Sequence, residues 1–508
     1  MRRAAYGETS LLFFLAALAC LVAADLAITA LNPWAELARL GRGVLRPDFL
    51  SVEAWSVIWT VAFAVLGVGL GAVCGFALAI AYPAFAPVRG LAAVLRSVHE
   101  LFWALLLIQV FGLGPITGLL AIALPYTGFF SKVFAEMIEE ADLAALEVLP
   151  RGTSLISAFV YGRLPDLIRP FRDYTLYRLE CGLRSTLVLG FVGLPTIGFH
   201  LESYFKQGHY AEAAALLGAF YVLVGTRRIW ARPATLPFLI LGSLLLLPES
   251  VGGGSAWVNL SRFLGHDIVP APLRGHDLGL LETWQAFGGW LQTILVRDAL
   301  PGIIKTLVLS QIALVATGVL ALAVFPIVSR RFAGRFGRIL GRFTLVIVRS
   351  TPEYMLAYVL LQLLGPSMLP AVIALSLHNG GIVGYLMGRH ADALDYRPDA
   401  PRGLNLYAYE TVPRLYGQFL AYMLYRWEII VRESAIFGIL GVATLGYYVD
   451  AAISELRFDV AFVLIVVVVL LSAALDALSR RLRRALRIDA LPVRLSAASG
   501  APAVAGAA

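Results

Sequence analysis

A series of long apolar stretches, separated by segments rich in arginine, dominates this sequence and limits what the chain can fold into. Most of these stretches approach the roughly 20 residues that a helix needs to cross a bilayer. Of the 508 residues, 59% are hydrophobic and only 15% are charged, whereas a typical soluble domain has about 25% charged residues. This composition excludes a soluble globular protein and a disordered one. The pattern also differs from the alternating strands of an outer-membrane barrel, so the sequence predicts an all-α polytopic membrane protein.

Twelve apolar stretches are interpreted as transmembrane helices. They lie near residues 11–31, 56–83, 93–112, 115–137, 184–203, 210–226, 235–248, 302–328, 343–364, 368–388, 432–453 and 459–478. Basic residues favour the cytoplasmic side of membrane helices, and an N-terminus placed inside leaves only a small minority of the 41 Lys and Arg residues outside. The net charge of +8 therefore indicates orientation, not nucleic-acid binding. We expect a multi-pass protein of the bacterial inner membrane with both termini in the cytoplasm.

The two halves of the chain resemble each other in sequence. Leu95-Arg-Ser-Val-His-Glu-Leu101 matches Val348-Arg-Ser-Thr-Pro-Glu-Tyr354, and Leu176-Tyr-Arg-Leu-Glu180 matches Leu424-Tyr-Arg-Trp-Glu428. Six predicted helices in each half would keep the repeats parallel. Such a repeat predicts a pseudo-twofold axis along the membrane normal and a transport pathway between the halves.

This repeat predicts the domain organisation. The first permease-like repeat is expected at 1–232 and the second at 233–488, with a periplasmic loop at 249–300 inside the second. The tail at 489–508 is rich in Ala, Gly, Ser and Pro, and this composition is typical of a disordered segment.

Each half also contains a long cytoplasmic segment between its predicted fourth and fifth helices. These segments of about 40 residues exceed the 2–8 residues that commonly connect helices. The first carries Pro150-Arg-Gly152 and Leu164-Pro165, and the second carries Pro401-Arg-Gly403 and Val412-Pro413. A tolerated insertion is the alternative, but its duplication favours a docking site.

Several motifs in a fixed order resemble those of permeases of phosphonate-type ABC importers. They are Arg96-Ser-Val-His-Glu-Leu-Phe-Trp-Ala-Leu105, Gly112-Leu-Gly-Pro-Ile-Thr-Gly118, Tyr161-Gly-Arg-Leu-Pro165, Tyr177-Arg-Leu-Glu180 and Arg184-Ser-Thr-Leu-Val-Leu-Gly-Phe-Val-Gly193. The resemblance covers about residues 50–225 well and about 300–480 more weakly. It implies a type I ABC importer transmembrane fold in which two permeases are fused and access alternates between the two halves. It also implies two cytoplasmic ATPase subunits that bind ATP and Mg²⁺, a periplasmic substrate-binding protein, and a small anionic substrate such as phosphonate, phosphite or phosphate.

The resemblance further implies two coupling loops, each with a short helix that sits in a groove of the ATPase. Gly152 and Pro165 match the glycine and proline of this loop at the family's spacing, whereas Gly403 and Pro413 are three residues closer together. A proline also lies two residues before each glycine, where it would disrupt a helix interior. We therefore expect coupling helices that are displaced or short, and two docking sites that are unequal.

Oppositely charged residues recur in both halves at a spacing of one helical turn. Arg96 with Glu100, and Arg349 with Glu353, are predicted to lie on one face of the third helix of each repeat. They could form a structural salt bridge or interfacial anchor, or a gate of the translocation pathway. The same spacing at the start of the fifth helix, which we expect to orient the coupling loop, is found at Glu180, Arg184, Glu428 and Arg432.

Polar residues beside glycine mark the predicted fourth helix of each repeat. Tyr126-Thr127-Gly128 in the first half matches Asn379-Gly380-Gly381 in the second, and His378 directly precedes Asn379, opposite Pro125. Their donors could bind an oxyanion together with the backbone, although His378 could also be an ordinary buried histidine. Because the halves differ here, we expect an asymmetric pathway.

The chain lacks the motifs of a nucleotide-binding enzyme. A P-loop needs a Gly-Lys-Ser/Thr sequence, and Lys305, the only lysine followed by Ser or Thr, is preceded by Ile303-Ile304. We therefore expect no enzymatic activity, cofactor or metal in this chain, and ATP hydrolysis by a separate subunit. Gly265-His-Asp267 and Gly275-His-Asp277 could hold a metal, but a turn-rich outer loop is the favoured interpretation.

A glycine pattern predicts how one of the helices packs. Gly67, Gly71 and Gly75 are spaced by four residues, which favours close helix packing.

A secondary transporter coupled to protons through Glu100 or Glu353 is the alternative function. A membrane scaffold without transport activity is a third.

Overall fold

A computed structural model describes residues 2–141, 150, 152–249, 255–486 and 488, and the predicted tail at 489–508 lies outside them. These residues are mainly helical and contain no strand. The α-helices of seven or more residues are α1 Arg2–Ala23, α2 Pro33–Leu45, α3 Ala54–Ala81, α4 Ala86–Ser97, α5 Glu100–Phe111, α6 Pro115–Glu139, α7 Leu164–Phe191, α8 Ile197–Gln207, α9 Tyr210–Gly225, α10 Leu236–Leu245, α11 Ala256–Arg262, α12 Leu281–Ile294, α13 Leu300–Val328, α14 Arg335–Ser350, α15 Glu353–Leu364, α16 Leu369–Asp392, α17 Val412–Ser434, α18 Leu445–Ser454 and α19 Phe458–Ala485.

Two compact units divide the described chain. The central unit is Asp48–Asn259, and the flanking unit combines the residues up to Pro47 with those from Leu260 onward. Helix α1 therefore belongs with the second half of the chain, where it packs against α13, and α10 belongs with the first half, where it packs against α3. These boundaries differ from the repeats expected at 1–232 and 233–488, which remain a prediction from the sequence.

The order of helices from α3 to α9 is repeated from α13 to α19. Each series begins with a long helix, which is followed by a bent pair of helices. Helix α3 packs along α6, and α13 packs along α16. A Cβ atom at Gly71 would lie 2.8 Å from the Cβ atom of Tyr126, which confirms the predicted close packing of α3. In the flanking unit the closely packed glycines lie on the other helix of the pair, α16, at Gly380, Gly384 and Gly388.

Six helical segments in the described residues are long and apolar enough to cross a membrane, or up to eight if each of two bent pairs is one span. The prediction of a multi-pass membrane protein is therefore supported, whereas the count of twelve is not confirmed. Helices α4 and α5 meet at 97°, and α14 and α15 meet at 92°. The stretches 93–112 and 343–364, each expected to be one helix, are thus broken.

The predicted fifth helices also differ from expectation. Helix α7 begins at Leu164, well before the predicted stretch 184–203, and ends at Phe191, within that stretch. Helix α17 likewise begins at Val412, before the stretch 432–453. Much of each segment predicted to be a long loop is therefore part of these helices.

The bend before α15 follows from local sequence. Proline disfavours the helical conformation in the residue before it, and Thr351, which precedes Pro352, has a ψ of 122°. At the corresponding bend before α5, His99 is the N-cap, and its imidazole accepts a hydrogen bond from the N–H of Leu101 at 3.3 Å.

These bends correct one prediction about the charged residues. Arg96 lies in the last turn of α4 and Glu100 begins α5, while Arg349 and Glu353 are divided between α14 and α15. The prediction that each pair shares one helix face is therefore wrong.

The segment 249–300, expected to be a loop, is largely helical where it is described. It contains α11 and α12, and α12 continues through a π-helical turn, Leu295–Ala299, into α13. The carboxylate of Asp459 accepts the N–H of Ala271 at 3.0 Å and pairs with Arg274 at 3.2 Å, which anchors this segment to α19. His266 contacts Asp267 at 3.1 Å, a local contact that gives no support to the metal interpretation.

Candidate functional site

The central unit buries a chain of three polar side chains where α5, α6 and α7 meet; we call it the first polar cluster. The Ser185 hydroxyl donates to Glu100 Oε1 at 2.6 Å, and the Tyr126 hydroxyl lies 3.2 Å from Ser185 Oγ. Because a serine hydroxyl has a single proton, the Tyr126 hydroxyl donates to Ser185, which in turn donates to Glu100. The three helices are therefore joined by a directional series of hydrogen bonds.

Charged and aromatic groups surround the first polar cluster. His99 Nε2 lies 3.5 Å from Glu100 Oε2, and the carboxylate is at the first residue of α5, where the helix dipole stabilises negative charge. The guanidinium of Arg178 lies 4.4 Å above the ring of Phe129 and donates to the hydroxyl of Tyr174 at 2.8 Å. A cation–π contact of this half-buried arginine stabilises its charge.

The flanking unit has a more highly charged counterpart where α15, α16 and α17 meet; we call it the second polar cluster. It consists of Glu353, His378, Asn379, Arg426 and Glu433. The Asn379 amide donates to Glu433 Oε2 at 3.1 Å, and its oxygen accepts from Arg426 at 3.1 Å. His378 Nε2 lies 3.8 Å from Glu353 Oε2. Asn379 thus bridges a cation and a carboxylate.

The imidazole of His378 is held in a defined orientation. Its Nδ1 atom lies 2.8 Å from the carbonyl oxygen of Thr351, and because a carbonyl only accepts, Nδ1 carries a proton. Ligand atoms of Glu353, His378 and Glu433 lie within 4.8 Å of one another. Carboxylates and imidazole are common ligands of divalent metals, so this trio is a donor set that the sequence analysis, which expected no metal, had not grouped.

The remaining residues predicted for the pathway make helix-packing contacts. The Thr127 hydroxyl donates to the carbonyl of Ala123 at 2.8 Å, and the guanidinium of Arg349 lies 4.6 Å above the ring of Tyr385. A Cβ atom on Gly128 would lie 2.8 Å from the backbone nitrogen of Arg96. Gly128 therefore allows α4 to pack closely on α6.

Both predicted coupling segments lead into a six-residue π-helix. Ala158–Arg163 precedes α7 and Leu406–Thr411 precedes α17. Pro165 and Pro413 lie in the first turn of these α-helices, where proline is tolerated. The predicted coupling glycines are exposed and have left-handed φ angles, +93° at Gly152 and +62° at Gly403. Residues 142–149 and 151 of the first segment lie outside the described part of the chain.

An aromatic residue of each π-helix packs against the long first helix of the same unit. The ring centroids of Phe159 and Phe76 of α3 are 6.4 Å apart, and Tyr407 stacks on Phe325 of α13 with ring centroids 5.3 Å apart. The Tyr407 hydroxyl also donates to the carbonyl of Leu322 at 3.0 Å. Burial raises the pKa of Tyr407, so this donor keeps its proton at neutral pH.

The residues predicted to orient the coupling loops lie on α7 and α17. Glu180 pairs with Arg227, which follows α9, at 3.3 Å, and Arg184 Nη2 lies 3.3 Å from Cys181 Sγ. Glu428 and Arg432 are half-buried at the corresponding positions of α17. The orienting role remains a prediction.

Three residues of the polar clusters, Ser185, Arg426 and Glu433, were not predicted from the sequence, and neither was Arg178 beside the first polar cluster. The alignment of the two halves contained a signal for them, because it places Arg178 opposite Arg426 and Ser185 opposite Glu433. Ser185 directly follows Arg184, and Glu433 directly follows Arg432, the counterpart of Arg184. The difference between a serine and a carboxylate at one repeat position gives the clusters different charges.

Comparison with known proteins identifies the family. No family model matches the chain, and no solved structure matches it. Among curated proteins, the chain is 27% identical to the phosphate-import permease protein PhnE of Mycolicibacterium smegmatis over 84% of each chain. It is 32% identical to the phosphite transport system permease protein PtxC of Stutzerimonas stutzeri, over 43% of this chain and 84% of PtxC. The predicted family is thus confirmed, and the chain belongs to the permeases of phosphonate-type ABC importers.

Proposed function

We propose that the chain is the transmembrane subunit of an ATP-driven importer for phosphonate or a related small phosphorus oxyanion such as phosphite or phosphate. The names of PhnE and PtxC, which refer to phosphate import and phosphite transport, support this substrate class. One structural observation carries the mechanism. In each unit a single helix holds the end of a coupling segment at its start and a polar-cluster residue near its other end: Pro165 and Ser185 on α7, and Pro413 and Glu433 on α17.

The length of these helices suits them to transmit motion. At 1.5 Å per residue, the distance from Pro165 to Ser185 is about 30 Å, close to the thickness of the hydrocarbon core. When the ATPase pair closes, it moves the coupling segments, and α7 and α17 carry the displacement to the polar clusters. Because N–H···O and O–H···O bonds hold only within about 3.2 Å, a shift of 1–2 Å exchanges their partners and alternates access to the pathway.

The proposed assembly contains other subunits. Two ATPase subunits bind ATP and Mg²⁺ on the cytoplasmic side, a periplasmic protein delivers the substrate, and this chain is a non-enzymatic inner-membrane component with cytoplasmic termini. PtxC aligns with less than half of this chain, whereas PhnE aligns with 84% of it. This difference supports a fusion of two permease lengths in one polypeptide.

Reconstitution tests the proposal. Vesicles that contain the chain together with a candidate ATPase and a candidate binding protein are expected to accumulate labelled phosphonate, phosphite or phosphate only when all three proteins and ATP are present. Uptake driven by a proton gradient without nucleotide would instead establish the secondary transporter.

Coupling is tested with matched glycine variants. Valine at Gly152 or Gly403 is strained by the left-handed φ, at a cost of about 1–3 kcal/mol, and is expected to weaken binding of the ATPase. Gly265→Val is the control, because Gly265 has open space around its Cα and no positive φ. Equal ATPase retention by all three variants would contradict the docking role of these segments.

A further inference from the structure

Helix α14 lies nearly perpendicular to the helix that follows it. It meets α15 at 92°, and the two helices together are apolar enough to form a broken span. If α15 enters the membrane, a helix perpendicular to it runs along the membrane surface. Helix α14 is 16 residues long, or about 24 Å at 1.5 Å per residue.

One face of α14 is an exposed apolar stripe. Phe336, Ile339 and Phe343, which are 61–80% exposed, follow the i, i+3, i+7 spacing of a helix face, and Leu340 and Val346 extend it. A different face packs on the protein: a Cβ atom at Gly341 would lie 2.2 Å from Ile327 Cγ2 of α13. The apolar stripe is thus turned away from the flanking unit.

A stripe of arginines adjoins the apolar stripe. At 100° per residue, Arg335, Arg338 and Arg342 lie within about 60° of one another, next to Ile339 and Val346. Arg342 approaches Asp392 at 3.9 Å. Arg335 and Arg342 are exposed, whereas Arg338 is half-buried and its Nε atom is buried. Among the described residues, no ion pair involves Arg335, so its charge is available to an anion outside the protein.

The corresponding helix of the central unit provides a contrast. Helix α4 meets α5 at a similar angle, 97°, but contains only two arginines. One of them, Arg89, donates to the carbonyls of Tyr82 and Pro83 at 3.1 and 2.9 Å, where it caps the end of α3. The bend is thus common to both units, whereas the stripe of three arginines is found on α14 and not on α4.

We propose that α14 lies in the plane of the membrane surface and binds anionic phospholipid head groups through Arg335, Arg338 and Arg342. A helix with an apolar face and a basic flank settles with its apolar face below the head groups, which brings the arginines to the level of the lipid phosphates. A water-soluble partner bound to the arginines would leave the adjoining apolar stripe in water. The proposal requires only a membrane around the chain and is independent of the transported substrate.

Lipid binding by the purified full chain tests the arginines. Titration with phosphatidylglycerol, followed by native mass spectrometry, is expected to show on the order of a hundredfold weaker binding for R335Q/R338Q/R342Q, since each arginine near an anionic surface contributes about fivefold. The triple Lys variant is expected to retain binding, because the attraction depends on charge. The control R169Q/R402Q/R481Q removes the same charge at exposed positions elsewhere.

Two results of this titration would overturn the proposal. One is equal loss of phosphatidylglycerol from the Gln variant and the control. The other is complete displacement of the lipid from the unmodified chain by millimolar inorganic phosphate, which would show a free-anion site.

A depth measurement tests the placement of α14 independently. A nitroxide attached through Phe343→Cys, with Cys20, Cys74 and Cys181 replaced by alanine, is expected to lie about 5–10 Å below the lipid phosphates. It should be more accessible to oxygen than to a water-soluble nickel chelate, with the reverse result for Arg335→Cys. Aqueous exposure at both positions would show that α14 does not lie in the membrane surface.

Discussion

The close packing of α3 on α6 makes a graded prediction at three glycines of one helix. In Gly75→Ala the new Cβ atom would lie 2.4 Å from the Cβ atom of Phe130 and 3.1 Å from two backbone atoms of α6. Carbon atoms pack at 3.5–4.0 Å, so the contact falls short by about 1.1–1.6 Å. A Cβ atom cannot rotate away, and Phe130 is fully buried. The backbones of α3 and α6 must therefore move apart.

The cost follows from the size of this displacement. Overpacking of a close-packed core costs about 1–3 kcal/mol, and in a domain of this size each kcal/mol lowers the melting temperature by about 2–4 °C. Gly75→Ala is therefore expected to melt about 2–12 °C below the unmodified chain. Gly71→Ala, whose nearest contact is 2.8 Å, should lose less, and Gly69→Ala, with nothing within 4 Å, should lose nothing.

Thermal unfolding in detergent measures this order. Each purified variant is heated in steps, and the fraction that remains monodisperse is determined by size-exclusion chromatography. Gly69→Ala controls for helix propensity, because it places the same methyl group on the same helix. If Gly75→Ala and Gly69→Ala melt within about 1 °C of each other, the contact of α3 with α6 does not stabilise the central unit in the way described.

Three further variants test the polar clusters and the second coupling segment, with stability measured by the same melting assay. Ser185→Ala leaves the Glu100 carboxylate without one charged hydrogen bond and should cost about 1.5–3 kcal/mol, whereas Ser185→Thr, which keeps the hydroxyl, should cost less; equal losses would exclude the hydrogen bond as the cause. Arg426→Met removes the donor to Asn379 and should destabilise by about 1–3 kcal/mol, and Arg426→Lys should recover part of it; no loss in Arg426→Met would contradict the bridge. Tyr407→Phe keeps the aromatic stack and loses one hydrogen bond, so a loss of about 0.5–1.5 kcal/mol is expected, and a loss above about 3 kcal/mol would show that the hydroxyl has another role.

The features that depend on composition and on the order of motifs could be predicted from the sequence. The multi-pass membrane character follows from apolar stretches, because the bilayer selects for local hydrophobicity whatever the tertiary partners are. The family follows from motifs in a fixed order between Arg96 and Gly193. The tight packing at Gly67, Gly71 and Gly75 follows from their spacing, since small residues on one helix face admit a neighbour.

Helix boundaries were predicted less well, because hydropathy does not detect a change of direction. The stretch 343–364 is continuous in hydrophobicity, yet it contains the bend at Pro352, and Arg349 and Glu353 consequently lie on different helices. Proline after threonine was a local signal for this boundary. At the corresponding bend in the central unit, the capping by His99 has no such signal.

The sequence alone was sufficient to establish a polytopic membrane protein of the phosphonate-type permease family with a duplicated set of motifs. Tertiary structure was needed to pair α1 with α13 and α10 with α3, and to bring Ser185 to Glu100 and Glu433 to Asn379. The physical reason is the distance along the chain over which each interaction acts. Hydrophobicity, proline and glycine act on their own segment, whereas a hydrogen bond between residues 85 positions apart exists only after α5 and α7 have packed together.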